Sequence, residues 1–232
     1  MDLIEEASAT TSRQTSRGRR ASAAPWGWIM SCVVGEAIGM TASASAAHAS
    51  GALPAYAALA LVVVGGLIEG TALGVLQGAW LARRFPGLSH LGWIVATVLI
   101  AGLGWALASA PAALGDPDGG EPDPVVIVVM AAGLGLAMGA LLGAGQALVL
   151  RHHVRHPWRW IGISAVAWAP AMVVIFAGAT VPDASWPTAA VIVLGALTGV
   201  VAGAILGLIS IALMRTLGGR SGDVRQKVAE HF

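Results

Sequence analysis

Two carboxylic residues, Glu36 and Glu69, stand within stretches that are otherwise apolar. An ionisable group near the middle of a bilayer costs about 2.5–3.5 kcal/mol on insertion scales, so its presence there points first to a role in function. No lysine or arginine lies at a similar depth, and desolvation together with mutual repulsion favours the protonated acids. We therefore predict that the two carboxyls face each other and form a candidate proton or cation site. The alternative is structural: two neutral carboxyls that hydrogen-bond to the backbone or to each other.

Two glutamines, Gln77 and Gln146, occupy matching places, because each follows a glycine, Gly66 or Gly135, by eleven residues. Eleven residues make about three helical turns, so each side chain returns to the face of that glycine. The sequence predicts a hydrogen bond from each glutamine to another helix, worth about 0.6–2 kcal/mol in membrane proteins. Contact with a solute is the alternative. Leu206 holds the corresponding place in a third copy of the pattern.

Glycines recur every four residues in three apolar stretches. They are Gly66, Gly70, Gly74 and Gly78 in one, Gly135, Gly139 and Gly143 in another, and Gly195, Gly199, Gly203 and Gly207 in the last. Residues four apart stay on one helical face, drifting by about 40° per step. Such a glycine row forms a groove in which another helix can approach closely and gain dispersion contact. We predict that the rows pack helices together and do not line a path for a solute.

Six apolar stretches account for most of the chain. They lie at 26–47, 57–82, 91–111, 125–150, 158–180 and 188–214. Each is close to the ~20 residues that a helix needs to cross a bilayer. Charged residues make up 11% of the chain, far below the ~25% of an average soluble domain. The sequence predicts an all-α, six-helix transmembrane bundle over 25–217, a disordered tail at 1–24 and a short tail at 218–232.

The positive charges fix a predicted orientation for this bundle. Of the 13 Lys and Arg residues, 12 lie before the first stretch, in the second and fourth gaps, or after the sixth stretch, and Arg159 is the second residue of the fifth stretch, at the edge of the fourth gap. Basic residues are retained on the cytoplasmic side during insertion, so both tails are predicted to be cytoplasmic. A cleaved signal peptide ending at Ala47-His48-Ala49 is the competing interpretation. Glu36 interrupts its apolar run, and Trp28 stands where an interfacial anchor belongs, so we expect the first helix to be retained.

A tryptophan followed by isoleucine marks the start of every second stretch. The three are Trp28, Trp93 and Trp160. Together with the glycine rows, they predict three out-and-back helical hairpins of about 65 residues, since a fixed period of this kind indicates duplication of a supersecondary unit.

A longer motif occurs twice. Gly-x-x-x-Gly-x-x-Gln-x-x-x-Leu runs from Gly70 to Leu81 and again from Gly139 to Leu150, where Arg151 follows. This motif resembles one found in uncharacterised multi-pass membrane proteins of bacteria. Ala82 replaces the arginine in the first copy, and the third glycine row lacks the glutamine. The resemblance implies residence in the bacterial inner membrane and no assigned activity.

Metal, cofactor and nucleic-acid sites are not predicted. His152, His153 and His156 include a pair four residues apart, as in some zinc sites. No Cys, Asp or Glu stands beside them, and contact with anionic lipid head groups is the preferred interpretation. The acidic segment 116–124 lacks the alternating register of a calcium loop. The arginines are dispersed over several loops, which argues against nucleic-acid binding.

Three functional hypotheses follow. The first is a non-enzymatic accessory or assembly protein in the bilayer, packed through its glycine-rich faces, with another membrane protein or a second copy of itself as partner. The second is a small transporter or channel that uses Glu36 and Glu69. The third, an intramembrane enzyme, needs a cluster of reactive groups that the sequence lacks. A hydrated cavity that reaches the two carboxyls favours the second hypothesis, and a dry core with an apolar flank packed on a partner favours the first.

Overall fold

The computed structural model describes residues 24–114, 123–183 and 185–218. In these ranges every regular element is a helix, and there is no strand. The helices are α1 Pro25–Ser50, α2 Ala55–Arg84, α3 His90–Leu114, α4 Pro124–Leu150, α5 Arg159–Ala179 and α6 Thr188–Met214, followed by a 3-10 turn at Arg215–Leu217. All six are long and apolar enough to span a membrane, so the predicted all-α transmembrane bundle is confirmed. Residues 1–23, 115–122 and 219–232, which include most of both predicted tails, lie outside the described ranges.

Prolines mark the start of four helices. Pro25 and Pro124 are first residues, while Pro54 and Pro187 directly precede α2 and α6. A proline fits here because the first-turn N–H groups have no partner within the helix and its fixed φ is already helical. Asp123 adds an N-cap at α4, where its carboxylate accepts the N–H of Val125 at 2.7 Å. The predicted ends of the apolar stretches therefore lie within three residues of the helix ends in the structure.

The helices form a closed ring in chain order. Each helix packs against the next one along the chain, and α6 packs extensively against α1. The pairs α2–α3, α4–α5 and α6–α1 are all close, whereas α3 and α4 make the fewest contacts of any neighbouring pair. One end of the ring, called the basic end below, holds the described arginines. These are Arg83, Arg84, Arg151, Arg155, Arg159 and Arg215.

Each glycine row packs against the odd-numbered helix that comes next around the ring. The row on α6 therefore packs against α1. The isoleucine after each repeated tryptophan lies directly on a row. A Cβ placed on Gly74 would lie 3.0 Å from the Cα of Ile94. The same construction gives 2.7 Å from Gly143 to Ile161 and 2.9 Å from Gly207 to Ile29. These backbones approach so closely because no side chain stands between them.

The closest helix pairs are thus not all the predicted hairpins. The structure packs α1 tightly on α2, as predicted, but α3 and α4 make far fewer contacts with each other. The pairing that recurs three times joins an even helix to the next odd helix around the ring. Duplication of a hairpin unit therefore remains a prediction about the sequence, while the packing unit is the pair that shares a glycine row.

Candidate functional site

Three tryptophans meet at the centre of the ring near its basic end. The ring centroids of Trp28, Trp93 and Trp160 are 6.5, 5.8 and 6.0 Å apart in pairs. Each stands in the first turns of an odd helix, and all three are at most 3% exposed. These side chains, called the aromatic plug below, fill the middle of the bundle at that end.

Two plug residues are held by hydrogen bonds to the even helices. Trp160 donates its indole N–H to the Gln146 side-chain oxygen at 2.7 Å, and Trp28 donates to the Ser210 hydroxyl at 2.7 Å. The indole nitrogen of Trp93 has no hydrogen-bond partner among the described residues. Gln146 and Ser210 each lie three residues after the row glycine that receives the isoleucine, so Ser210, not Leu206, occupies the equivalent place. In the third row, the glycine that contacts the isoleucine lies one helical turn later in the chain than the sequence spacing indicated.

The glutamine side chains also bond to the odd helices that precede them. The Gln77 amide nitrogen donates to the sulfur of Cys32 at 3.4 Å, and that of Gln146 donates to the hydroxyl of Thr97 at 3.0 Å. Cys32 and Thr97 each follow a plug tryptophan by four residues. The prediction of interhelical hydrogen bonds is confirmed, and neither glutamine lines the two cavities described next.

The main cavity, of about 610 Å³, lies in the half of the bundle away from the basic end. Residues of α1 to α5 line it, and it extends from Ser50 and Gly51, at the end of α1, to Glu69 and Thr97. Its walls are mostly alanine, leucine, valine, isoleucine and methionine side chains, and Glu69 is the only ionisable residue in the described lining. Thr97 lies one helical turn from Trp93, so the cavity ends close to the aromatic plug.

Glu69 is held in place by the ring of Trp105. The indole N–H of Trp105 on α3 donates to the Glu69 carboxyl at 3.0 Å. The Trp105 side chain lies across Gly66, where a Cβ would come within 2.7 Å of the Trp105 Cβ. Glu69 is 4% exposed, and its side chain borders the cavity. A glycine one turn before the carboxylic residue therefore makes the room that its hydrogen-bond donor needs.

Glu36 is more enclosed than Glu69. Its side chain is 0% exposed, and neither carboxyl oxygen has a hydrogen-bond partner among the residues that the structure describes. Three residues on, Gly39 packs against Glu69, and the two carboxyls are close enough to interact electrostatically. The predictions that both residues face the interior and lie near each other are confirmed. A fully buried carboxyl without a donor is unusual, because most buried polar atoms in native proteins are satisfied.

A second cavity, of about 380 Å³, lies between α1, α5 and α6. Trp105 borders both cavities and so lies between them. Ser43 on α1 lines the second cavity, and its hydroxyl has no hydrogen-bond partner within the described part of the chain. Asp183 lies at its rim, where hydrogen bonds from the Ser185 side chain and backbone hold the pKa of Asp183 below its ordinary value. This carboxylate supplies a negative charge at the end of the bundle opposite the arginines.

The predicted lipid-facing histidines belong to a folded connection. His152 receives a hydrogen bond from Arg151 at 2.9 Å, and the His153 ring packs 6.4 Å from that of Phe85. The backbone N–H of His156 donates to Leu217 at 3.0 Å, which ties the α4–α5 connection to the end of α6. Among the described residues, no group of three His, Cys, Asp or Glu side chains lies close enough together to hold a metal ion.

Sequence reasoning placed Glu36 and Glu69 but missed the groups that position them. Trp105 and Trp168 both line the main cavity, and no repeat or spacing in the sequence marks either residue as part of a site. The glycine row at Gly66 indicates that a helix or a large side chain lies on that face, but not which one. The repeated spacing likewise does not mark Cys32, which accepts the hydrogen bond from Gln77.

No family model, curated protein or solved structure matched the chain in three comparisons. The fold and the composition define the class of protein. It is a multi-pass helical integral membrane protein with a cavity that reaches a carboxylic side chain.

Proposed function

We propose that this protein is a small solute transporter of the bacterial inner membrane, in which Glu36 and Glu69 form a proton-binding pair. The observation that supports it is the reach of the main cavity to the carboxyl of Glu69. If the basic end is cytoplasmic, as the positive-inside rule predicts, the cavity faces the outside of the cell. The aromatic plug then closes the cytoplasmic side, which is the arrangement of an outward-facing state.

The size and lining of the main cavity suit a small organic molecule. Its volume of about 610 Å³ falls within the ~300–1,000 Å³ typical of ligand sites, which are mostly apolar with a few polar groups. Here the polar groups include Glu69, Thr97 and the Trp105 indole. A solute that fills the cavity would therefore be in reach of the carboxyl.

The difference between the two carboxyls supports a role in proton binding. The described structure has no intramembrane lysine or arginine, so two ionised carboxylates at this depth would repel each other without compensation. Glu69 has a hydrogen-bond donor and borders the cavity, whereas Glu36 has no donor and is enclosed. In the proposed mechanism Glu69 exchanges its proton with solute or solvent in the cavity, and Glu36 holds a second proton next to it.

The described glycine rows are filled by helices of the same chain, so an accessory protein of this fold would have to bind its partner through another surface. The expectation that the protein is not an enzyme stays a prediction.

The test is ligand-induced stabilisation of the purified protein in detergent. A panel of small apolar solutes of different charge should contain members that raise the melting temperature, because a ligand at 100 times its Kd stabilises by about 2.7 kcal/mol. Ala108→Trp would fill the main cavity, since Ala108 lines it, and should abolish the response. Leu99→Trp is the matched control, because Leu99 is 65% exposed on the same helix. No response in the wild type, or an equal response in Ala108→Trp, would contradict the proposal.

A further inference from the structure

We infer that the solute taken by the main cavity is an organic cation with a large apolar body. This inference rests on the proposed function and names the substrate class for the same site. Three properties of the cavity lead to it: the sign of its charge, the scarcity of oxygen ligands and the presence of aromatic faces.

The charge of the lining excludes an anion. Glu69 is the only ionisable residue among the described residues of the cavity wall, and no Lys, Arg or His lines it. A buried anion needs a cation or several N–H donors, and the Trp105 indole N–H is already engaged by Glu69. A cation would instead find the Glu69 carboxylate, which borders the cavity.

The chemistry of the wall excludes a bare inorganic cation. Hard cations such as Ca²⁺ take about six to eight oxygen ligands. The side-chain oxygens in the described lining come only from Glu69, Ser50, Thr97 and Ser109. The rest of the wall is apolar, so it would be buried favourably against hydrocarbon groups of a ligand.

Aromatic side chains complete the case for an organic cation. Trp105 and Trp168 both line the main cavity, and indole is the best of the protein aromatic groups for attracting a cation to its face. Trp105 donates a hydrogen bond to Glu69, and Trp168 on α5 lines the same cavity. A positively charged group near the carboxyl can therefore be shielded from lipid by rings and still carry an apolar body into the wider part of the cavity.

The experiment compares four probes by calorimetric titration of the full-length protein in detergent, with protein-free micelles as the blank. Tetraphenylphosphonium carries both charge and apolar body, and tetraphenylborate has its shape with the opposite charge. Triphenylphosphine oxide is a neutral relative, and tetramethylammonium is a cation without the apolar body. We expect tetraphenylphosphonium to bind at least about tenfold more tightly than each of the others.

Two carboxyl-to-amide variants serve as a matched pair. Glu69→Gln keeps an acceptor for Trp105 but removes the charge, so it should lose the preference for the cation. Asp123→Asn is the control, because Asp123 is exposed at the same end and Asn is an equally good N-cap. Melting temperatures of both variants establish that they are folded.

The outcomes separate this inference from the proposed function. Equal binding of the phosphonium and the neutral oxide, or a cation preference that survives Glu69→Gln, would overturn the assignment of a cation while leaving solute binding intact. Tighter binding of tetraphenylborate than of tetraphenylphosphonium would also overturn the assignment of a cation. If no probe with an apolar body binds, the result contradicts the proposed solute site itself.

Discussion

Trp160 on α5 donates its indole N–H to the side-chain oxygen of Gln146 on α4 at 2.7 Å. Trp28 makes the matching bond to Ser210 across α1 and α6 at the same distance. In both places a tryptophan at the start of an odd helix is fixed to the even helix whose glycine row receives it. These bonds hold the aromatic plug at the basic end and set the floor below the main cavity.

The bond at Ser210 gives a prediction about stability. Ser210→Ala removes the acceptor of a buried indole N–H, which should lower the free energy of unfolding by about 1–3 kcal/mol. Ser210→Thr keeps the hydroxyl and should retain most of it. Reversible unfolding in mixed micelles measures both. If the alanine variant is as stable as the threonine variant, the bond to Trp28 does not fix the plug.

The glycine rows give a second prediction, with a control on the same helix. Gly139→Leu should destabilise by about 1–3 kcal/mol or more, because a larger side chain overpacks a close contact. A Cβ on Gly139 would lie 2.9 Å from the Cα of Ala165, whereas one on Gly133 would meet nothing within 4 Å. Gly133→Leu should therefore leave the melting temperature near that of the wild type. Equal melting of both variants would contradict the packing of the row.

The two carboxylic residues should differ when each is replaced. The sequence alone predicts that leucine destabilises at either place. In the structure Glu36 has no hydrogen-bond partner within the described ranges, so we now expect Glu36→Leu to be neutral or stabilising. Glu69→Leu leaves the Trp105 N–H without its acceptor and should cost about 1–3 kcal/mol, while Glu69→Gln keeps the bond. Melting temperatures in the opposite order would show that the donor to Glu69 is misassigned.

Orientation is tested by labelling single cysteines in intact cells. Ser185 and Ser89 are both exposed and lie at opposite ends of the bundle, and native Cys32 is fully buried. Ser185→Cys should react with an impermeant thiol reagent added outside, and Ser89→Cys should react only after the membrane is opened. The reverse pattern would place the main cavity on the cytoplasmic side.

The helix limits were predictable because bilayer thickness fixes the length of an apolar run, and because prolines and arginines mark its ends. The interior position of Glu36 and Glu69 was predictable from the cost of exposing a carboxyl to lipid. The partner of each glycine row was not predictable, since a row indicates close packing without naming the helix that enters it.

The sequence pattern assigned to Leu206 the place that Ser210 occupies in the structure, and this error has a specific cause. A glycine row with a four-residue period looks the same after a shift of one turn, so sequence spacing alone cannot fix its register. The spacing of residues in the sequence did not predict the main cavity either. It depends on how loosely α3 and α4 pack, which is set by the whole ring and not by either helix.

The most direct test of the central claim is to count the protons released when a cation binds at the main cavity. Tetraphenylphosphonium is added to the detergent-solubilised protein in weakly buffered solution with a pH indicator. If the cation displaces a proton from Glu69 beside Glu36, the release should approach one proton per cation bound at pH values where Glu69 is protonated in the free protein and ionised in the complex. Glu69→Gln should release none. Saturable binding in the wild type without proton release at any pH from mildly acidic to mildly alkaline would contradict the account.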